Sequence, residues 1–220
     1  IIPEGLTISA IANILENNKI CSANDFKRAC YSQEILNKYK IPGESCEGYL
    51  FPETYFLNIN MDANLVVELF INTFFENLKS INNFSEISNE DLFKIVTLAS
   101  IVEKEYKIKE EAPIIASVFK NRLKYNIGLY SCATIVYIIT EIQGKPHPER
   151  ILTTDTKIDN PYNTYKWAGL TPGPISNPGL TALDAVINTP KTPYFFFQVK
   201  DEEIGSHVFT ETFEEHKINH

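Results

Sequence analysis

Basic residues are in the minority in this chain. Its 20 Lys and Arg face 28 Asp and Glu, a net charge of −8, and no Lys/Arg cluster offsets that balance. With a sequence pI near 5.1, a nucleic-acid binder is disfavoured, because such proteins show a basic face to phosphate. Long apolar runs are missing too. Ile135–Ile139 and Tyr194–Phe197 fall far short of the roughly 20 residues a membrane span needs. No signal-peptide pattern opens the chain. Cysteine is sparse, at positions 21, 30, 46 and 132, with no CxxC pair. No Cys/His spacing fits a structural zinc site. The even count permits disulfides of undefined pairing, but free buried thiols serve a chain of this size equally well. No P-loop, GxGxxG or GxSxG occurs, so nucleotide and seryl-hydrolase chemistry have no local signature. His216 and His220 are spaced as a helical ligand pair, but they lie at the chain end and no metal is expected.

What the chain has is core material. It is 44% hydrophobic and 22% charged, which is globular composition. Its 220 residues suffice for one ordinary domain, or a core domain with a small companion. Aromatics are abundant, with 14 Phe and 11 Tyr. The chain starts at Ile1 inside a patterned segment, and is expected to be an excised soluble part of a longer protein.

Three short helices are expected in the first 40 residues. Thr7 caps Ile8–Asn17, Ser22 with Asp25 forms a capping box for a helix to Cys30, and Ser32 starts a helix to Tyr39. Pro42–Gly43 breaks the pattern. Glu47–Phe56 reads as loop to strand, although Pro52 argues against a central strand. Helices follow over Ala63–Leu78, from Ser88 to about Tyr106, and around Pro113–Lys124. Thr134–Ile142 fits helix or strand. Thr153–Gly179 reads as ordered loops with short strands. Leu180–Asn188 is helical, and Tyr194–Lys200 with His207–Thr210 forms a hairpin. The fold class is α+β.

Two stretches carry candidate chemistry. Leu98–Tyr106 (LASIVEKEY) sets Glu103 and Glu105 on an apolar helix, about 160° apart at roughly 100° per residue. Each flanks an edge of the apolar stripe, where partial desolvation raises a carboxyl pKa and suits a general acid. The plainer reading is a solvated helix margin, and the helical wheel does not choose between the two acids. Tyr162-Asn163-Thr164-Tyr165, beside the Pro/Gly-rich Leu170–Gly179, offers rings, an amide and hydroxyls of the kind that line sugar sites. The plainer reading there is a structural loop.

Several blocks, in order along the chain, closely resemble the YceG-like endolytic murein transglycosylases (MltG). They are Ile2–Leu15, Glu47–Tyr55, Leu98–Glu105 (LASIVEKE), Ala116–Leu123 (ASVFKNRL), Tyr162–Tyr165 (YNTY), Gly169–Gly179 (GLTPGPISNPG), Lys191–Phe196 and His207–Phe209. The resemblance implies a cell-wall lyase that cuts glycan strands internally between N-acetylmuramic acid and N-acetylglucosamine, leaving 1,6-anhydromuramyl ends. It implies Glu105 as the catalytic acid, which settles the tie between the two acids. It implies a mixed helical and short-strand catalytic domain at 46–220 and a partial LysM-like module at 1–45. Glu103, Asn121, Tyr130, Ser131, Tyr162, Asn163, Thr164 and Tyr165 are the expected substrate contacts, with Asn121 equally suited to bracing its helix and Arg122 favoured as a brace. No cofactor is implied. Expected partners are peptidoglycan strands and cell-wall synthesis proteins. The expected location is extracytoplasmic, on a single-pass N-terminal tether outside this chain. Leu129–Ile135 (LYSCATI) departs from the family's LQSDPTV: Tyr130, Cys132 and Ala133 replace an amide, an acid and a proline. Thr171 stands where Pro is common. The departure motivates a second reading, a weakly catalytic glycan-binding module. A third is a hydrolytic muramidase.

Overall fold

The computed structural model describes residues 1–218. Helix α1 (Ile8–Asn17) starts where the Thr7 hydroxyl accepts the Ala10 N–H, and it buries Ile8, Ile11, Ala12 and Leu15. Helix α2 (Ala23–Cys30) starts at Ser22, which accepts the Asp25 N–H and donates its hydroxyl to the Asp25 carboxylate. Helix α3 (Gln33–Tyr39) stops at Lys40, which turns left-handed at φ 53°. These three starts follow the capping residues read from sequence.

Helix α4 (Ala63–Leu78) is capped by Asp62 and buries Val66, Val67, Phe70, Ile71, Phe74 and Leu78. Tyr55 stacks on Phe70 at 4.2 Å, and Tyr49 tilts against Phe74 at 5.0 Å. Glu47–Phe56 therefore joins no sheet: it opens on a turn at Glu47–Gly48, and its Tyr49 and Tyr55 rings are held by α4. Helices α1 and α2 pack together, and α2 and α3 lie on α4. One hydrophobic core runs from Ile2 to Val186, so the first 45 residues bury their apolar face against the rest of the chain.

Helix α5 (Asn89–Val102), with Ser88 as its cap, is buried almost all round in its second half. It packs on α6 (Ala112–Lys124) and α8 (Leu180–Ile187), which also pack on each other. Along the chain between α6 and α8 comes α7 (Cys132–Tyr137), which runs directly into one wide π turn over Ile138–Ile142. Thr134–Ile142 is thus helical. The short strands expected in Thr153–Gly179 do not form. That stretch holds a 3₁₀ turn at Asp155–Lys157 and one isolated bridge between Leu6 and Asn177. Side chains take the place of a ladder there: Ser100 accepts the Ile175 N–H, and Asn163 donates to the Thr156 and Ile158 carbonyls.

Strands β1 (Phe196–Asp201) and β2 (Ser206–Thr210) form an antiparallel hairpin, with Phe197 opposite Phe209 and Val199 opposite His207. Phe197 packs edge-on to Phe119 of α6 at 5.7 Å. A short helix, α9 (Phe213–Ile218), follows. The architecture is α+β, mostly helical. Among the described residues no helix is long and apolar enough to cross a membrane.

Candidate active site

The site begins where α5 ends. The expected helix to Tyr106 stops at Val102, so the 160° wheel separation of Glu103 and Glu105 does not apply. The Lys104 and Glu105 N–H groups bond back three residues, to Ile101 and Val102, which tightens the chain into a turn. Tertiary partners hold this turn. Glu103 accepts the Gly179 N–H at 2.9 Å and the Tyr106 hydroxyl at 3.1 Å, while the Lys104 ammonium donates to the Gly5 carbonyl at 3.0 Å. Glu103 is thus occupied at the start of α8, and Glu105 turns into a separate cleft.

That cleft has a volume of about 420 Å³. Glu105, Cys132, Ala133, Val136, Ile175 and the Gly5–Thr7 segment line it, as do Glu141 and His147. Glu105 is partly buried. Its Oε1 accepts the Ser131 hydroxyl at 2.5 Å, a charge-assisted contact. Among the described residues no protein group bonds to Oε2. Burial pushes the Glu105 carboxyl above the ordinary carboxylate range, and the Ser131 hydroxyl, then His207 and Arg122, pull part of that back. His207 is itself held at 2.7 Å from the Glu111 carboxylate.

The 129–135 segment and the 162–165 loop are built as one piece. Ser131 N–H donates to the Thr164 hydroxyl at 3.1 Å, Tyr130 N–H to the Thr164 carbonyl, and Thr134 and Thr164 share a hydroxyl contact at 3.0 Å. Cys132 Sγ lies 2.9 Å from the Tyr165 hydroxyl, and the Tyr130 and Tyr165 rings meet edge to face at 5.7 Å. Tyr130 adopts a left-handed φ of 53°, uncommon for a bulky residue, which swings its ring out over Arg122. Gly128 makes room for this joint, since a Cβ there would come within 2.8 Å of the Thr164 carbonyl oxygen.

The residues proposed from sequence therefore divide. Glu105, Ser131, Tyr130, Thr164 and Tyr165 come together. Asn163 is fully buried and spends its amide on backbone, so it shapes the loop. Tyr162 tilts against Tyr137 at 5.1 Å, facing a neighbouring hollow. Asn121 gives both amide hydrogens to the Thr192 and Tyr194 carbonyls, and Arg122 braces the Phe195 and Leu129 carbonyls. Residues that sequence reasoning passed over are Cys132 and Ile175 at the cleft wall, Glu141 on the π turn and the Glu111–His207 pair. The unusual LYSCATI block was the signal for Cys132.

All four cysteines are free, with Cys132 exposed and Cys30 and Cys46 buried. No group of three or more metal-ligating side chains occurs among the described residues. His220, one half of the helical pair noted in the sequence, lies outside them.

Fold and site define a class: a mostly helical α+β domain with two desolvated carboxyl groups at the bend after a buried helix, of which Glu103 is tied to Gly179 and Tyr106 and Glu105 lines the cleft. The chain belongs to the YceG-like family, whose model matches residues 1–220. It is 41% identical over 175 residues to the endolytic murein transglycosylase of Bacillus subtilis, covering 77% of this chain and 46% of that protein. The endolytic murein transglycosylase of Streptococcus pneumoniae D39 is 33% identical across 99% of this chain and 43% of its own length. The chain thus spans less than half the length of these relatives. The crystal structure of a yceG-like protein from Listeria monocytogenes superposes with a TM-score of 0.85 at 29% identity, covering 99% of this chain and 74% of that one.

Proposed function

We propose that this domain cuts peptidoglycan glycan strands internally as a lytic transglycosylase, with Glu105 as the sole general acid and base. The observation that carries the reading is the Glu105 carboxyl itself, desolvated in a cleft and gripped on one oxygen by Ser131. Its raised pKa keeps a proton available for the bridging oxygen between N-acetylmuramic acid and N-acetylglucosamine. As that C–O bond breaks, the proton moves to the leaving oxygen. The resulting carboxylate, steadied by the Ser131 hydroxyl, then takes the proton of the muramyl 6-hydroxyl. That oxygen attacks the anomeric carbon of its own ring and closes the 1,6-anhydro bridge. No water is consumed, and Glu105 ends protonated, ready for another cycle. Intramolecular attack supplies the high effective molarity that a hydrolase obtains from a second carboxylate.

Glu105→Gln keeps the side chain's size and removes the proton. Cleavage of purified strands should fall about 10²–10⁴-fold, with the circular dichroism spectrum unchanged. Glu103→Gln disturbs a structural contact and should lose far less activity. Equal losses from the two variants would remove Glu105 from its role.

Glu141 motivates a second reading, because it places another carboxylate on the cleft wall. If it activated water, the enzyme would be a hydrolytic muramidase. Glu141 already accepts the Thr7 hydroxyl at 3.1 Å at the mouth of α1, which favours a wall-building part. A weakly catalytic binding module is the remaining alternative, motivated by the LYSCATI substitutions that border the cleft.

The same substrate reading puts the domain outside the cytoplasmic membrane, tethered through an N-terminal helix beyond this chain and close to cell-wall synthesis proteins. The helices of residues 1–45, LysM-like by resemblance, would add glycan contacts. Protease added to intact cells should digest the full-length protein. A protected, freely soluble protein would contradict that location.

A further inference from the structure

The Glu105 cleft has a neighbour. A second hollow of about 590 Å³ opens on the far side of Tyr137, and Tyr137 lines both. Its walls are Tyr31, Phe93, Tyr137, Tyr162 and Pro174, with Glu44 as a polar wall group. Tyr31 is 55% exposed, so its ring is open to a molecule in the hollow. The Tyr137 and Tyr162 rings lie 5.1 Å apart at 35°, forming a broad aromatic wall. Gly173 keeps one side of the hollow clear, because a Cβ there would come within 3.2 Å of the Tyr162 hydroxyl. The segment 162–165 joins the two hollows: Thr164 and Tyr165 adjoin Ser131 and Cys132, while Tyr162 faces the second.

We infer that this second hollow is a pyranose-binding subsite, which holds further sugars of the strand whose scissile bond lies at Glu105. The inference rests on the glycan-cleaving reading above. Its volume falls within the range of small-ligand pockets. Aromatic and proline faces suit the C–H faces of pyranose rings, and the tyrosine hydroxyls with Glu44 supply partners for sugar hydroxyls. Adjacency to the catalytic cleft selects the occupant, since a strand leaving Glu105 along Tyr137 enters this hollow next.

The test uses the Glu105→Gln form of the chain, titrated calorimetrically with peptide-free glycan strands of increasing length. Affinity should step up once a strand is long enough to fill both hollows. Tyr31→Ala, a substitution at an exposed ring, should remove a roughly tenfold step, and Tyr31→Phe should keep it. A step that survives Tyr31→Ala overturns the subsite, as does the absence of any step in the parent. A step seen only with strands carrying stem peptides overturns it too, in favour of a peptide pocket. Cleavage by the unsubstituted chain is scored separately. A length step without cleavage supports the subsite and sinks the catalytic reading, whereas cleavage without a step sinks the subsite alone.

Discussion

At the scale of single residues, Glu103 and Glu105 show how two acids in one short motif acquire separate tasks. Glu103 accepts two hydrogen bonds that fix the bend, and Glu105 accepts one that leaves an oxygen free. The Ser131 hydroxyl favours the charged form of Glu105. A general acid works while protonated, so activity should fall as pH rises through the raised Glu105 pKa. Ser131→Ala removes the donor and should lift that pKa further. The alkaline limb of the kcat/KM profile is then expected to move to higher pH, with a lower rate because the carboxylate loses its partner in the second proton transfer. A limb that stays in place, or moves down, would show that Ser131 does not tune Glu105. Glu103→Gln should register mainly in stability, at about 1 kcal/mol for a weakened hydrogen bond, read from the urea midpoint.

At the scale of elements, the sequence was most legible where local chemistry decides. Thr7, Ser22, Ser32 and Ser88 mark four helix starts that the structure shows. The hairpin announced by Tyr194–Lys200 and His207–Thr210 is present as well. Legibility failed where distant partners decide. Nothing local in Val102–Tyr106 signals a stop, since no glycine or proline follows. The helix ends because Gly179, Tyr106 and Gly5 capture the next two side chains. Likewise the left-handed Tyr130 lacks the Gly or Asn that usually flags such backbone, and the π turn at Ile138–Ile142 has no local residue signature. Tyr162–Tyr165 was legible as a polar aromatic loop, but its division between two hollows depends on packing against Ser131 and Tyr137. The exposed Cys132 gives this element a direct probe. Iodoacetamide should label it far faster than the buried Cys30 and Cys46, and its adduct beside Glu105 should block cleavage. A fully labelled Cys132 with unchanged activity would place the substrate elsewhere.

For the whole molecule, the N-terminal segment and the Pro/Gly-rich loop are bridged directly at Leu6 and Asn177 and locked together at Glu47. This buried carboxylate accepts the Ile8 N–H at 3.1 Å and the Asn177 amide at 2.7 Å. Asn177 also donates to the Leu6 carbonyl and accepts the Leu50 N–H. Asn177→Ala strips these bonds and should destabilise the fold by about 2–4 kcal/mol, measured by denaturant unfolding. Burial, with a smaller push from Glu141, raises the Glu47 carboxyl from 4.5 to about 8 against the pull of its donors. A raised acid pKa means that the folded state holds the proton more tightly, so this contribution is present below about 4.5 and is lost as pH climbs through about 8. Thermal stability should therefore decline across that interval and flatten in Glu47→Gln.

The central claim is that Glu105 acts without a water-activating partner, and the ends of the cut strands test it directly. Mass spectrometry of strands digested by this chain should find 1,6-anhydromuramyl termini, lighter by one water than reducing ends, and none after Glu105→Gln. Reducing muramic-acid ends as the main product would contradict the account and transfer the water-activating step to a second carboxylate such as Glu141.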